Sequence, residues 1–242
     1  MATQNKKSKV INGEHESNLR NVARLLKNTS FCKLADTIES SIRENGYDFR
    51  LIFFGTHNDE LTVYNNALKK DLQIEIRIEY TETDHQNDFP VRKIIFSYQI
   101  ETSDINNKKY FSAWHLDTDI NPPTEPALER SNHPFYHMHF GGKEMKNFLH
   151  NNNGAFEQLL LLNTPRLVHP PLDGILCIDF ILQNFMSKIR NALLEKPEYR
   201  NALKHSQERI WKPYLKVLST FWDTTNNKNH DAKKIWPHLI CN

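Results

Sequence analysis

The chain has 242 residues, of which 38% are hydrophobic and 25% charged. That is enough apolar side chain to bury a core, and it excludes wholesale disorder. Glycine is scarce, at 7 residues or about 3% against a usual share of about 7%. None of the glycine-based motifs G-x-G-x-x-G, G-x-x-x-x-G-K-S/T and G-x-S-x-G occurs, which excludes dinucleotide enzymes, P-loop NTPases and nucleophile-elbow hydrolases in their usual form. The net charge of +2 hides an asymmetry: residues 188–234 carry 11 Lys/Arg against 5 Asp/Glu, the remainder 20 against 24.

Residues 1–13 read as a flexible tail, polar and lysine-rich, without the apolar stretch of a signal peptide. The longest apolar runs, Leu51 to Phe54 and Leu159 to Leu162, fall far short of the ~20 residues that span a bilayer. Cys32, Cys177 and Cys241 form no C-x-x-C pair. Their scattered spacing suits a reducing compartment, with Cys177 as a small core residue. These features predict a cytoplasmic protein with no membrane partner.

Residues 14–223 read as one α+β domain, with 224–242 as a C-terminal tail that docks back through Ile235 and Trp236. Residues 14–46 predict helix, from Leu19, Val22, Leu25 and Leu26 and then Leu34, Ile38 and Ile42, with a split near Asn28 to Ser30. Strands are predicted at Phe49 to Phe54, Leu61 to Tyr64, Leu72 to Tyr80, Arg92 to Ile100, Tyr110 to Asp117, Phe135 to Phe140 and Ala155 to Leu162. Leu72 to Tyr80 is the clearest, because Leu72, Ile74, Ile76, Ile78 and Tyr80 alternate strictly with polar residues. Period two with one wet face specifies an antiparallel strand on a core. The proline-rich stretch Thr118 to Pro134 is longer than ordinary loops of ~12–15 residues. Asp173 then reads as the N-cap of a helix running to Glu195, and Pro197 opens a second helix to Trp222 that Pro213 should bend. The expected architecture is N-terminal helices, an antiparallel sheet of five to seven strands, and two long C-terminal helices.

The most unusual segment is His133-Pro-Phe-Tyr-His-Met-His-Phe-Gly-Gly142. On a strand, residues two apart share a face, so His137 and His139 point one way while Tyr136, Met138 and Phe140 point the other. His115 and Asp117 share a face of the preceding strand and become cross-strand neighbours if the two strands pair. Imidazoles ~6.5–7 Å apart at their bases can close onto one ion, and His137, His139 and Glu144 offer a metal-ligand set. No resident cofactor is otherwise indicated. The catalytic candidates are His137, His139, His115 and Asp117, either around a divalent metal that activates water or as paired imidazoles acting as acid and base. The alternative for the same face is a pocket that binds a ligand or a protein partner, to which His169, Arg166, Asp179 and Tyr136 are candidate contributors. Asp179 lies in an apolar helix and needs a donor, for which a sheet histidine or Arg166 would serve. The spacing His-x-His-x4-Glu is similar to the first metal motif of the cupin barrels over eight positions. Ser131 stands where that motif has glycine, and two long helices do not suit a simple barrel.

Arg200, Lys204, Lys212 and Lys216, with Arg209 beside them, form a basic ridge interleaved with Trp211. Such a ridge can track the phosphates of a nucleic acid; it is equally the solvated face of an amphipathic helix.

The run Pro165-Arg-Leu-Val-His-Pro-Pro-Leu-Asp173, then Cys177-Ile-Asp-Phe-Ile-Leu-Gln-Asn-Phe185, together with the His-x-His-x-Gly-Gly strand, resembles the uncharacterised bacterial domain-of-unknown-function 2290 family. The resemblance covers roughly Trp114 to Phe185 and carries over a shape, not catalytic residues. Genes of that kind often accompany mobile-element or phage-defence systems, so the resemblance implies an accessory or sensing subunit with a protein partner or nucleic acid nearby. The sequence thus leaves three readings: a partner- or ligand-binding subunit using the histidine-bearing sheet face, a metal- or histidine-dependent hydrolase such as a nuclease or phosphodiesterase, and a nucleic-acid-binding module.

Overall fold

A computed structural model describes residues 13–56, 62–63, 66–67, 71–82, 91–107, 109–118, 136–141, 145, 150 and 167–219. The strict alternation of Leu72 to Tyr80 becomes β5 (Asp71–Glu82), whose Leu72, Ile74, Ile76, Ile78 and Tyr80 are all buried. Its neighbours repeat the pattern. Tyr47, Phe49, Leu51 and Phe53 of β2 (Gly46–Thr56) and Ile94, Phe96 and Tyr98 of β6 (Val91–Ser103) fill the same side. Each fully buried Ile, Leu or Phe contributes roughly 1.5–3 kcal/mol over its exposed state, and the register aligns these rows: Phe49 opposite Ile78, and Ile78 opposite Phe96.

β7 (Lys109–Thr118), β8 (Tyr136–Phe140) and β9 (Leu167–Val168) extend the sheet on one side, and β1 (Cys32–Lys33) extends it on the other. The result is a seven-stranded, wholly antiparallel sheet in the order β1-β2-β5-β6-β7-β8-β9. Thr62 and Val63, part of the expected strand Leu61 to Tyr64, form β3 (Thr62–Val63), which pairs with β4 (Asn66–Ala67) outside the main sheet. The expected strand Ala155 to Leu162, the loop Thr118 to Pro134 beyond its first residue, and the tail 224–242 lie outside the described residues.

The helices whose bounds fall within the described residues are α1 (Gly13–Lys27), α2 (Asp36–Ser41), α3 (Gly174–Phe185), α4 (Ser187–Leu194) and α5 (Pro197–Ser219). Their apolar stripes join the buried sheet face in one core, which makes the fold α+β, with two layers among the described residues. The N-terminal helical region contains a short strand, because the chain after α1 turns back through Cys32 and Lys33 to pair with Phe53 and Ile52. The first of the two expected C-terminal helices is interrupted at Met186, whose backbone (φ −141°, ψ 47°) leaves helical space while its side chain stays buried. Met186 packs over Gly55, where a Cβ would come within 2.7 Å of the methionine methyl. Asp173 is the N-cap of α3, its Oδ1 accepting from the Leu176 amide at 2.9 Å. The last helix runs from Pro197 to Ser219 through Pro213. None of the described helices is long and apolar enough to cross a membrane.

Two glycines separate hard from soft crowding. A Cβ on Gly46 would meet the Tyr80 carbonyl oxygen of the paired strand at 2.0 Å, whereas one on Gly55 would meet only the end of a flexible methionine. Gly46→Ala is therefore expected to cost about 3 kcal/mol, the upper end of overpacking penalties, and Gly55→Ala less than about 1 kcal/mol. Urea unfolding of the two variants side by side checks the order.

Candidate functional site

Because the described helices cover one face of the sheet, every residue of the opposite parity lies on the other face. Across β2, β5 and β6 that face carries diagonal ion pairs: Arg50 with Glu75, Arg77 with Asp48 at 3.1 Å, and Lys93 with Glu79 at 2.6 Å. Half-exposed surface pairs of this kind contribute little stability, ~0–1 kcal/mol each, but they occupy the charges of that half of the face. The chemistry changes at β7 and β8. There the register sets His115 opposite His139 and Asp117 opposite His137. Directly opposed residues of an antiparallel pair share a face with Cβ atoms ~4.5–5.5 Å apart, so three imidazoles and a carboxylate occupy adjoining positions.

The side chains converge further than the backbone requires. Asp117 Oδ2 lies 3.4 Å from His115 Nε2 and 3.5 Å from His139 Nε2. The His115 and His139 ring centroids are 3.3 Å apart at 59°, and the His137 ring stacks on His139 at 5.5 Å and 25°. His115, Asp117 and His139 keep 17%, 32% and 21% of their side-chain surface, while His137 is 4% exposed. The donor atoms of His115, Asp117 and His139 all lie within 4.8 Å of one another, close enough for one cation to touch all three. The metal set His137, His139 and Glu144 is therefore not the one the described residues assemble: Asp117 and His115 join His139, and Glu144 lies outside the described residues.

The other candidates separate from this cluster. His169 continues β9 past Val168, and its amide donates to the Tyr136 carbonyl. Its parity places it on the helix-covered face, where its ring meets Phe180 of α3 edge-on at 5.8 Å. Burial lowers its pKa, partly offset by a contact with the Pro170 carbonyl. Tyr136 is also on that face, 1% exposed and packed edge-on against Tyr214 of α5, so it is a core residue. Asp179 finds its donors among the helices rather than in the sheet: Arg190 holds both carboxylate oxygens, at 2.7 and 3.1 Å, and the Tyr199 hydroxyl donates at 3.1 Å. Arg166 lies outside the described residues.

The basic ridge also divides. Arg200, Lys204, Lys212 and Lys216 are exposed on α5, but Arg209 is only 11% exposed and points inward. Trp211 is half-buried, its indole N–H donating to the Pro171 carbonyl at 2.9 Å, so its hydrogen-bonding edge is committed to the fold. The ridge thus loses the arginine and the tryptophan that gave it more than the character of a solvated helix face.

Arg209 instead anchors a buried polar cluster that the sequence reading did not assemble. Its guanidinium donates to Asp173 Oδ2 at 2.8 Å, to the Tyr80 hydroxyl at 2.9 Å and to Glu82 Oε1. Tyr80 donates to the same Glu82 oxygen at 3.0 Å. His15 of α1 lies against this group fully buried, with Nδ1 3.7 Å from Asp173 Oδ2 and Nε2 3.3 Å from the Tyr47 hydroxyl, which accepts from the Gly174 amide at 2.6 Å. Burial opposes ionisation of Asp173, yet its pKa is lowered, because His15, Arg209, the Leu176 amide and the Ser206 hydroxyl together outweigh that cost. Burial, reinforced by Arg209, pushes His15 down from 6.5 to about 3. One signal for the inward arginine was available: Arg209 follows Ala202 and Ser206 by seven and three positions, which puts it on their side of the helix, and both are buried.

Both described cysteines are buried and free, with Cys32 pushed up to about 12 by burial, so neither is poised as a nucleophile. No family model, curated protein or solved structure matches the chain.

Proposed function

We propose that the chain is a binding protein whose working surface is the sheet face opposite the described helices, at β7 and β8, and that it serves as an accessory or sensing subunit that takes a ligand or partner there. The observation that carries the reading is the convergence of His115, Asp117, His137 and His139 on the sheet face opposite the described helices. A fold gains little from gathering three imidazoles and a carboxylate where apolar or freely solvated residues would serve. Imidazoles combine hydrogen-bond donor and acceptor capacity on one ring, and beside the Asp117 carboxylate these suit recognition of an anionic group or a cation. The resemblance of the His-x-His strand and the following proline turn to a bacterial family associated with multi-component defence systems supports the accessory role.

The reading is tested by recording long-range proton–nitrogen spectra of the imidazole rings during separate titrations with inorganic phosphate, a mononucleotide, an acidic peptide and zinc chloride. At least one class is expected to move the His115 and His139 ring signals at a concentration that leaves His169, on the opposite face, unmoved. If all four additions leave His115 and His139 where they were, the surface is structural and the reading fails.

One observation favours a hydrolase as the second reading. The stacked His137 and His139 rings, one nearly enclosed and one partly open, with Asp117 alongside, provide two imidazoles in different surroundings for acid and base roles. Turnover of bis(p-nitrophenyl) phosphate that is lost in His139→Ala would establish it over simple binding.

A further inference from the structure

We infer that His115 Nε2, Asp117 Oδ2 and His139 Nε2 form a binding site for a single tetrahedral divalent ion of the zinc class. The inference rests on the reading of this face as the working surface and names its ligand.

The distances decide between the ways such a triad can be held together. If Asp117 simply bridged two imidazoles by charge-assisted hydrogen bonds, N–O separations near 2.7–2.9 Å would be expected. The observed 3.4 and 3.5 Å are longer than that. Three donors around a tetrahedral ion with bonds of about 2.0–2.1 Å stand about 3.3–3.4 Å apart along the edges. An octahedral ion with similar bonds would draw neighbouring donors to about 3.0 Å. These two separations are close to the tetrahedral edge, and the two imidazole donor atoms lie within 4.8 Å of each other.

The donor chemistry selects the class. Two imidazoles and one carboxylate are a borderline set, suited to zinc and its neighbours and poorly suited to calcium or magnesium, which take oxygen. The described residues supply three ligands, the number that catalytic zinc sites take from the protein before water or an incoming anion completes the tetrahedron. The supporting scaffold is rigid for a sheet surface. The two histidines are directly opposed on hydrogen-bonded strands, Asp117 is two residues from His115 on the same strand, and His137 stacks on His139 and so serves as a positioning residue for its ring.

The test is titration of the full chain with cobalt(II) chloride as a visible probe and with zinc chloride in competition. A single equivalent of cobalt should give the intense visible bands of a tetrahedral site, bleached by one equivalent of zinc. His139→Ala and Asp117→Ala should each weaken binding by more than the roughly 10–100-fold typical of losing an outer-shell partner, and Glu79→Ala on the same face should leave it unchanged. Circular dichroism of each variant confirms that it is folded, and the wild-type titration stands whatever the variants do. The assignment is overturned if wild type takes up no stoichiometric ion, if cobalt gives only the weak spectrum of six-coordination, or if binding survives both substitutions. Should cobalt and zinc fail while phosphate, nucleotide or acidic peptide moves the His115 and His139 rings, the metal is wrong and the surface stands; should every addition fail, both fall together.

Discussion

Arg209→Met should lower the unfolding free energy by about 3–5 kcal/mol, the cost of removing one partner from a buried ionic cluster. Methionine keeps most of the stem volume, so the loss is electrostatic rather than a cavity. It leaves Asp173 fully buried and Glu82 nearly so, without the guanidinium that both face. The replacement also strands the Tyr80 hydroxyl on the acceptor side, because Arg209 donates to it. Against a total stability of roughly 5–15 kcal/mol for a domain, the change is visible as a large drop in urea midpoint or as outright loss of the folded state. Two companions sharpen the interpretation. Arg200→Met, on the exposed side of the same helix, should change stability by less than about 0.5 kcal/mol. Adding Asp173→Asn and Glu82→Gln to Arg209→Met should restore a large part of the loss, since asparagine still caps α3 at the Leu176 amide and neither amide carries a charge to be stranded. A loss below about 1 kcal/mol in Arg209→Met would show that the cluster holds the layers together through packing alone.

That cluster marks where the sequence stops being readable. The sheet was legible because period two is local: the alternation from Leu72 to Tyr80 and the shared faces of His115 with Asp117 and of His137 with His139 follow from strand geometry. The pairing of β7 with β8 was foreseeable as a condition, and it brings the histidines together as soon as it is met. What was not legible depends on contacts between distant segments. β1 exists because Cys32 finds Phe53, and nothing in a helix-periodic stretch announces a two-residue edge strand. His169 was grouped with the other histidines by residue type, but its face is set by β9 pairing with β8, which places it beside Tyr136 instead. Tyr136 itself was already of the wrong parity, and parity decided its place. Asp179 needed a donor, as its apolar surroundings implied, but its partner Arg190 sits one helix later, across the break at Met186 that helical periodicity passes over. Arg209 counted as one more cation in a basic stretch because composition was given more weight than its spacing from Ser206.

Stability should fall as the pH drops from about 6.5, and His15 should account for about one proton's worth of that slope. The folded protein holds His15 with a pKa near 3, while the unfolded chain returns it to 6.5. Below pH 6.5 the unfolded state therefore takes up a proton that the folded state refuses, and each further pH unit costs about 1.36 kcal/mol until the folded pKa is reached. At pH 4.5 the loss attributable to this group is about 3 kcal/mol. The cause is geometric. His15 has no surface, and Arg209 and His205 of α5 oppose its protonation more strongly than Asp173 alone can favour it, while Tyr47 and Tyr80 complete its surroundings as neutral hydroxyls. His169, also lowered by burial, adds a slope of the same sign. Asp173 joins only below its ordinary value of 3.8, where its lowered folded pKa makes the unfolded state the better proton acceptor. The measurement is a set of urea melts from pH 7.5 to 4 on wild type, His15→Gln and His169→Gln. His15→Gln alters packing, so its absolute stability decides nothing; the decisive quantity is the difference between pH 7 and pH 4.5, which should shrink by about 2–3 kcal/mol relative to wild type. An unchanged difference would mean that His15 takes up its proton in the fold as readily as in the unfolded chain, so that burial and Arg209 do not hold it neutral; a difference that grows would mean that Asp173 holds it as an imidazolium.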